Sequence, residues 1–227
     1  MYEPPETLAR ATGVHGELAL RRRGADAAGY ELIVNGVFLM DTTETSTERL
    51  LAEELLARHH EPRQILVGGL GLGFTVAALL ADPRVEHVDV VEIEPVLLEW
   101  LRAGLVPDAP DVLADRRVRP VVGDIRDVLV GADPASYDAV LLDVDNGPGF
   151  LVHDENAAVY REPVLTAAAT VLRPDGMLGV WSAAPSEPLR DALAACVGPC
   201  HELTADLVRE GRPMTYHLYF ATARSAR

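Results

Sequence analysis

The chain has 227 residues, of which 48% are hydrophobic and 24% charged, which is enough for one sizeable α/β core. Acidic residues number 35 against 20 basic ones, and the formal net charge of -15 argues against nucleic acid as a partner, because phosphates would be repelled. No apolar run is long enough to span a bilayer and the first residues do not resemble a secretory signal, so we expect a cytoplasmic protein without membrane association.

The N-terminal part of the chain is predicted to contain one hairpin and one helix. Residues 1 to about 29 show no clear pattern, and we expect them to be irregular. The apolar runs Tyr30–Val34 and Val37–Met40 flank Asn35-Gly36, a pair typical of tight hairpin turns. A helix is predicted from Glu48 to His59, because leucines recur on one of its faces.

From residue 64 onward, short apolar runs alternate with segments of helical periodicity. The predicted strands are Ile65–Val67, His87–Val91, Val118–Val122, Tyr137–Leu142, Met177–Trp181, His201–Leu207 and Thr215–Thr222. The predicted helices are Phe74–Leu80, Glu94–Ala103, a short one after Asp124, Glu162–Leu172 and Glu187–Cys196, with a turn at Arg173–Gly176. This order indicates a Rossmann-like, mostly parallel seven-stranded sheet with an antiparallel C-terminal strand. We expect residues 1–60 to be an extension of a catalytic domain formed by residues 61–227.

A glycine-rich turn, Gly68 to Gly73, follows the first strand of this sheet. Gly69, Gly71 and Gly73 alternate as G-x-G-x-G, whereas a dinucleotide fingerprint has the spacing G-x-G-x-x-G, so an NAD-dependent enzyme is disfavoured. The observed spacing is similar to the first motif of S-adenosylmethionine-dependent methyltransferases. The next strand ends in Glu92, a position where a ribose diol can donate two hydrogen bonds. The alternative is an ordinary glycine-rich turn between a strand and a helix.

Three acids, Glu92, Asp124 and Asp143, each stand at the end of an apolar run, Asp124 after one intervening glycine. The carboxyl ends of parallel strands meet at one edge of a sheet, and ligands of open α/β folds bind there. We therefore expect the three carboxylates to face one cleft. Asp124 taken alone is equally well explained as a helix cap.

Several short motifs occur together across roughly residues 30–182: the hairpin and its helix, the glycine turn, Glu92-Ile93-Glu94, Gly123-Asp124, Tyr137 to Asp143 and Gly147-Pro148. Their combination resembles the spermidine/spermine synthase family, aminopropyltransferases built on the class I methyltransferase fold. The resemblance implies a site for S-adenosylmethionine, decarboxylated S-adenosylmethionine or methylthioadenosine, a small-molecule acceptor, and a homodimer.

The resemblance also implies a role for individual residues. Glu92 would hold the ribose hydroxyls, and Asp124 would accept from the adenine amino group while Ile93 and Ile125 sandwich the ring. Asp143 would lie where the family has its catalytic acid, beside the sulfonium and the incoming nucleophile. The expected cofactor-binding set is completed by Gly68, Gly69, Gly71 and Gly73.

The chain departs from the family pattern at positions that matter for a polyamine. Gly71 stands where the family's turn has an aspartate, and Asn146 stands where it has the second of two carboxylates. The glutamine of the family's hairpin falls on Leu39 or Met40. A diamine acceptor calls for several carboxylates, so we favour methyl transfer to a small molecule over aminopropyl transfer to a polyamine. The candidate acceptor-binding residues are Asp145, Asn146, Tyr160 and Trp181.

Other interpretations stay open. The chain is alternatively a polyamine aminopropyltransferase, or a nucleoside-binding module without catalytic activity. His153, in the loop after the fourth strand of the predicted sheet, is a candidate base but is better explained as an exposed loop residue. Two cysteines, Cys196 and Cys200, do not make a disulfide framework or a zinc site, and no metal is expected.

Overall fold

Within residues 4–24, 29–144, 147, 154–209 and 211–224, the computed structural model of the protein contains two β-sheets and six α-helices. The strands are β1 (Glu6–Gly13), β2 (Gly16–Arg22), β3 (Tyr30–Val34), β4 (Val37–Asp41), β5 (Gln64–Gly68), β6 (His87–Glu92), β7 (Val118–Val122), β8 (Tyr137–Leu142), β9 (Leu172–Ser182), β10 (Cys200–Arg209) and β11 (Arg212–Thr222). The helices are α1 (Ser46–Arg58), α2 (Phe74–Leu80), α3 (Pro95–Arg102), α4 (Ile125–Gly131), α5 (Glu162–Val171) and α6 (Glu187–Cys196).

The larger sheet has seven strands in the order β10-β11-β9-β8-β5-β6-β7. Strand β11 runs antiparallel to both of its neighbours, and the other pairs are parallel, which confirms the predicted α/β architecture. Helices α1 to α3 pack on one face of the sheet and α4 to α6 on the other. Because both faces are covered, central strands such as β8 are buried along their whole length and read as continuous apolar runs.

The expectation that residues 1 to about 29 are irregular is wrong. Strands β1 and β2 pair with the predicted hairpin to make a four-stranded antiparallel sheet in the order β1-β2-β3-β4. Strand β2 buries Leu18, Ala19 and Leu20, but β1 is an edge strand whose side chains are exposed or half-buried. An edge strand of this kind carries no apolar alternation, so the sequence pattern does not reveal it.

The predicted turn at Arg173–Gly176 is also different in the structure. These residues lie within β9, and the pairing of β8 with β9 shifts register between Tyr137 and Ala139. Asp175 has a positive φ of 64°, which gives the strand a local irregularity where a separate turn was expected.

The small sheet shares an apolar cluster with the larger one. Leu18, Leu32 and Met40 of the small sheet pack with Leu72 and Phe74, which follow β5. This contact places the small sheet above the glycine turn, at the carboxyl edge of the parallel strands. Among the described residues, no helix is both long and apolar enough to cross a bilayer.

Candidate functional site

A cleft lies at the carboxyl ends of β5, β6, β7 and β8, the edge where ligands of open α/β sheets bind. One side, the sheet wall, comes from the turns after these strands and includes Gly69, Gly71, Glu92, Ile93, Asp124, Ile125 and Asp143. The opposite side, the N-terminal wall, comes from the small sheet and α1 and includes His15, Leu18, Leu32, Leu39, Met40 and Glu48. The three predicted acids therefore face one cleft.

The glycine turn approaches its neighbours too closely for a side chain. Gly69 has a φ of +92°, and a Cβ atom there would lie 2.1 Å from the backbone oxygen of Asp143. Gly71 has a φ of +52°, and the thioether sulfur of Met40 lies over it, 2.7 Å from where its Cβ would be. Both glycines line the cleft, whereas the predicted residues Gly68 and Gly73 do not.

Gly68 and Gly73 support the turn from behind. A Cβ on Gly68 would lie 2.7 Å from Cγ1 of Ile125, so the glycine lets α4 pack closely against β5. Gly73, with a φ of +89°, precedes the first residue of α2 and lies against Val112 and Pro110. Neither is among the residues that line the cleft.

Glu92 is a buried carboxylate whose oxygens face the glycine turn. It accepts hydrogen bonds from the backbone N–H groups of Leu70 (3.0 Å) and Glu94 (2.9 Å). Burial raises the pKa of Glu92, and the nearby Glu94 carboxyl adds to the rise while these hydrogen bonds oppose it. The backbone N–H of Gly71 also interacts favourably with Glu92. A carboxylate has about four acceptor positions, so Glu92 retains capacity for about one further donor.

Asp124 caps helix α4, which is one of the two roles considered for it. Its Oδ1 accepts from the backbone N–H of Arg126 (2.8 Å), and its Oδ2 accepts from Nε of the same residue (2.8 Å). Burial opposes ionisation of Asp124, but the hydrogen bonds and charge of Arg126 prevail and hold its pKa below the ordinary value. Asp124 nevertheless lines the cleft beside Ile93 and Ile125.

Asp143 and Glu48 are two interacting acids that both line the cleft. The Thr75 hydroxyl donates to Oδ2 of Asp143 at 2.6 Å. Burial raises the pKa of Asp143 to about 6, although the Thr75 hydrogen bond opposes the rise. Burial, and then the charge of Asp143, raise the pKa of Glu48 to about 7. Two carboxyl groups that titrate near neutral pH are suited to accepting protons.

Glu48 is a residue that the sequence reasoning missed. The sequence predicts only that Glu48 begins the helix after the hairpin, and nothing in the local pattern distinguishes it from other acids of a first helical turn. It comes close to Asp143 because α1 packs beside α2, which carries Thr75. That contact joins segments far apart in the chain.

The structure describes two of the four predicted acceptor-binding residues, and one of these two lines the cleft. Trp181 lines the cleft, and its ring packs against Tyr216 with the centroids 5.2 Å apart. Tyr160 is buried outside the lining, and its hydroxyl donates to the backbone oxygen of Val144. Asp145 and Asn146 lie outside the described residues, as does His153. No cluster of three or more potential metal ligands occurs in the described part of the chain.

The model of the spermine/spermidine synthase domain matches residues 44–192. Putrescine N-methyltransferase 3 of Nicotiana tabacum is 31% identical over 119 residues, which cover 52% of this chain and 29% of the relative. Polyamine aminopropyltransferase 2 of Pseudomonas aeruginosa is 29% identical over 163 residues, which cover 69% and 44%. The chain thus spans less than half the length of either relative.

A solved spermidine synthase in complex with the transition-state analogue AdoDATO has a similar fold. The TM-score is 0.83 at 15% sequence identity, and the superposition covers 96% of this chain and 73% of that one. The fold similarity extends beyond the residues matched by the family model and includes the small N-terminal sheet.

Proposed function

The chain belongs to the spermine/spermidine synthase family, and from that membership we propose that it is a transferase that uses S-adenosylmethionine or its decarboxylated form. The observation that carries this proposal is the arrangement of the sheet wall. The glycine turn, Glu92, Asp124 and Asp143 line one cleft at the carboxyl edge of the parallel strands. A nucleoside attached to a positively charged sulfur would meet acids along its whole length there.

The residues of the sheet wall fit an adenosine. Glu92 has acceptor capacity left for a ribose hydroxyl, which would favour its charged form. Ile93 and Ile125 offer apolar surfaces for the adenine ring, and Asp124 lies beside them. The strand-end carboxylates would then hold the nucleoside from three successive strands.

When bound, the sulfonium supplies an electrophilic carbon and departs as a neutral thioether. Asp143 contributes a negative charge to this end of the cleft and, with its pKa near 6, can also accept a proton from the incoming nucleophile. Thr75 orients that carboxylate by its hydrogen bond. The rest of the acceleration would come from holding the two reactants in line.

Within this family chemistry, we favour methyl transfer to a small molecule. The amine of a decarboxylated cofactor needs an anionic partner, and Gly71 carries none. The space above Gly71 is filled by the thioether of Met40 instead. Aminopropyl transfer to a polyamine is the second candidate, and it is favoured by the longer match to polyamine aminopropyltransferase 2.

The two reactions are distinguished by their nucleoside products. The protein is incubated with S-adenosylmethionine or its decarboxylated form, and with putrescine as a first acceptor. S-adenosylhomocysteine with S-adenosylmethionine supports methyl transfer, whereas robust methylthioadenosine with the decarboxylated cofactor supports aminopropyl transfer. We expect Asp143→Asn to lower kcat by about 100-fold or more, with Asp191→Asn, a change on the exposed surface, as the matched control. Tight nucleoside binding without turnover would favour the non-catalytic module.

A homodimer and a cytoplasmic location are further parts of the proposal. The edge strand β1 supports a dimer, because it leaves backbone groups and the exposed side chain of Leu8 available to another chain. Light scattering after size-exclusion chromatography tests the oligomeric state directly, and a monomer at micromolar concentration would contradict it.

A further inference from the structure

The turn between β1 and β2 holds one residue of the cleft, His15, from two sides. Only Val14 and His15 separate the two strands, and His15 lines the cleft. The Glu94 carboxylate, just before α3, accepts from the backbone N–H of His15 at 2.9 Å and from that of Val14 at 2.7 Å. The backbone oxygen of His15 accepts from Nδ2 of Asn35 at 2.8 Å. Side chains from two other segments therefore fix the backbone of His15 at both its N–H and its C=O.

The residues around this turn are the ones that such a fixed position requires. A Cβ atom on Gly13 would overlap the Glu94 carboxylate, and one on Gly16 would overlap the Asn35 amide. Gly16 has a φ of +116°, and Asn35 itself adopts a positive φ of 49°. The side chain of Val14 is exposed, so burial of the turn does not account for these contacts. Backbone conformations of this kind occur often where a protein positions a group for a ligand.

The His15 side chain lies near Asp124 in the cleft. Burial raises the pKa of Asp124, but the hydrogen bonds and charge of Arg126 lower it, and the charge of His15 adds to the lowering. His15 belongs to the N-terminal wall, whereas Asp124, Ile93 and Ile125 belong to the sheet wall. An adenine ring on the two isoleucines would therefore have His15 near one of its edges.

Asp124 alone can read only part of an adenine. Its carboxylate already accepts three hydrogen bonds from Arg126, one from the backbone N–H and two from the guanidinium. About one acceptor position remains, which suits the adenine amino group. The ring nitrogens of adenine are themselves acceptors, and an ionised carboxylate has no proton to donate to them. An imidazole N–H, as in His15, is a donor that supplies the missing half of the recognition.

We propose that His15 determines specificity for the nucleobase by donating a hydrogen bond to a ring nitrogen of the adenine, while Asp124 accepts from its amino group. This inference rests on the transferase function proposed above, because that function brings the nucleoside into the cleft. Glu94 and Asn35 are positioning residues that orient the imidazole through its backbone. The backbone N–H of Glu94 also donates to Glu92 at 2.9 Å, so one residue connects the base contact with the ribose contact.

The test measures binding and does not depend on turnover. The wild type is titrated calorimetrically with S-adenosylhomocysteine and with its 1-deaza, 3-deaza and 7-deaza analogues, each of which replaces one ring nitrogen by C–H. We expect one analogue to bind about tenfold more weakly than S-adenosylhomocysteine, because the imidazole N–H loses its acceptor. In His15→Phe, which keeps a ring but has no donor, that analogue and S-adenosylhomocysteine should bind alike. Val14→Ala, in the same turn, should discriminate as the wild type does.

Two further variants separate a contact with the base from a structural role. His15→Gln retains a side-chain N–H donor and should restore part of the discrimination against the deaza analogue. Asn35→Gly tolerates the positive φ but removes the hydrogen bonds of the Asn35 side chain with the His15 oxygen and the Glu17 N–H. It should reduce the discrimination to about threefold. A merely structural residue would change the free energy of unfolding, measured with urea, and leave the discrimination as it is.

Each outcome decides a separate claim. Equal binding of all four ligands by the wild type, or the same discrimination in His15→Phe, would overturn the role of His15 and leave the transferase proposal intact. Far-UV circular dichroism checks that His15→Phe is folded, and His15→Ala replaces it in the same comparison if it is not. Unchanged discrimination in Asn35→Gly would overturn the positioning role of Asn35. Failure of the wild type to bind any sulfonium cofactor or S-adenosylhomocysteine would overturn the proposed function itself.

Discussion

The two walls of the cleft are held in place by different means. The sheet wall is formed by turns that continue directly from hydrogen-bonded parallel strands, so its backbone is fixed by the ladder itself. The N-terminal wall belongs to a separate sheet that is joined through apolar contacts and a few polar ones, such as those of Glu94 with the turn after β1. Within the proposed function, the sheet wall would bind the nucleoside, and the N-terminal wall with α1, apart from His15, would face the acceptor. Four measurements test this contrast between the two walls.

The largest effect is expected from Gly69→Ala in the sheet wall. The new Cβ would lie 2.1 Å from a backbone oxygen of Asp143, in a backbone conformation that L side chains rarely adopt. We expect a loss of about 3 to 4 kcal/mol in the free energy of unfolding, from strain and overlap together. Urea denaturation measures this loss.

Gly104→Ala is the matched control for that change. Gly104 also has a positive φ, of +68°, but a Cβ there meets nothing within 4 Å. It should cost only about 1 kcal/mol, the penalty of the left-handed conformation alone. Equal losses at the two positions would mean that the close approach at Gly69 does not fix the sheet wall.

The next effect concerns the affinity for the nucleoside. Glu92→Gln keeps the shape of the side chain but removes the charge that would receive a ribose hydroxyl. We expect the affinity for S-adenosylhomocysteine to fall by about 30-fold to 100-fold, equivalent to about 2 to 3 kcal/mol. Calorimetry measures it, and Glu99→Gln, on the exposed face of α3, is the control. A fall of less than about threefold in the affinity for S-adenosylhomocysteine would contradict the assignment of Glu92 to the nucleoside site.

Most of the sheet wall could be predicted from the sequence because its determinants are local. Glu92, Asp124 and Asp143 each follow an apolar run, and the convergence of parallel strand ends then places them together. The same reasoning could not separate Gly69 from Gly68, because which glycine faces the cleft depends on backbone angles and packing that the letters do not encode.

The N-terminal wall could not be predicted in this way. The side chains of β1 alternate only weakly between apolar and polar. The position of His15 in the cleft depends on how the small sheet packs against the rest of the fold. Glu48 reaches Asp143 only because α1 packs beside α2. These are contacts between distant segments, and they leave no periodic signal in a single sequence.

The third prediction concerns the hydrogen bonds that attach the N-terminal wall to the start of α3. The Glu94 carboxylate accepts from the backbone N–H groups of Val14 (2.7 Å) and His15 (2.9 Å). Glu94→Ala should lower the local stability of this turn by about 2 kcal/mol, because two hydrogen bonds to a charged group are lost. Hydrogen exchange of the Val14 and His15 amides should accelerate correspondingly. Glu17→Ala, which removes only an exposed ion pair with Arg10, should change exchange little, and unchanged exchange in Glu94→Ala would show that apolar contacts alone hold the wall.

The smallest effect is a pH-dependent gain in stability from Glu48→Gln. The pKa of Glu48 is raised to about 7 from its ordinary value of 4.5, so the folded protein binds this proton more tightly than the unfolded chain does. At pH 8 the carboxyl is charged in both states and its burial destabilises the fold. At pH 5 the folded state retains the proton, and the penalty is largely relieved.

Glutamine is neutral at both pH values, so Glu48→Gln should exceed the wild type by about 1 to 2 kcal/mol at pH 8, after an allowance for partial exposure, and by little at pH 5. Urea denaturation at the two pH values measures the difference, and Glu53→Gln, at an exposed position on the same helix, should show none. Relief of the repulsion between Glu48 and Asp143 is part of the expected gain. A loss of stability at pH 8 would mean that a protein group already stabilises the Glu48 carboxylate.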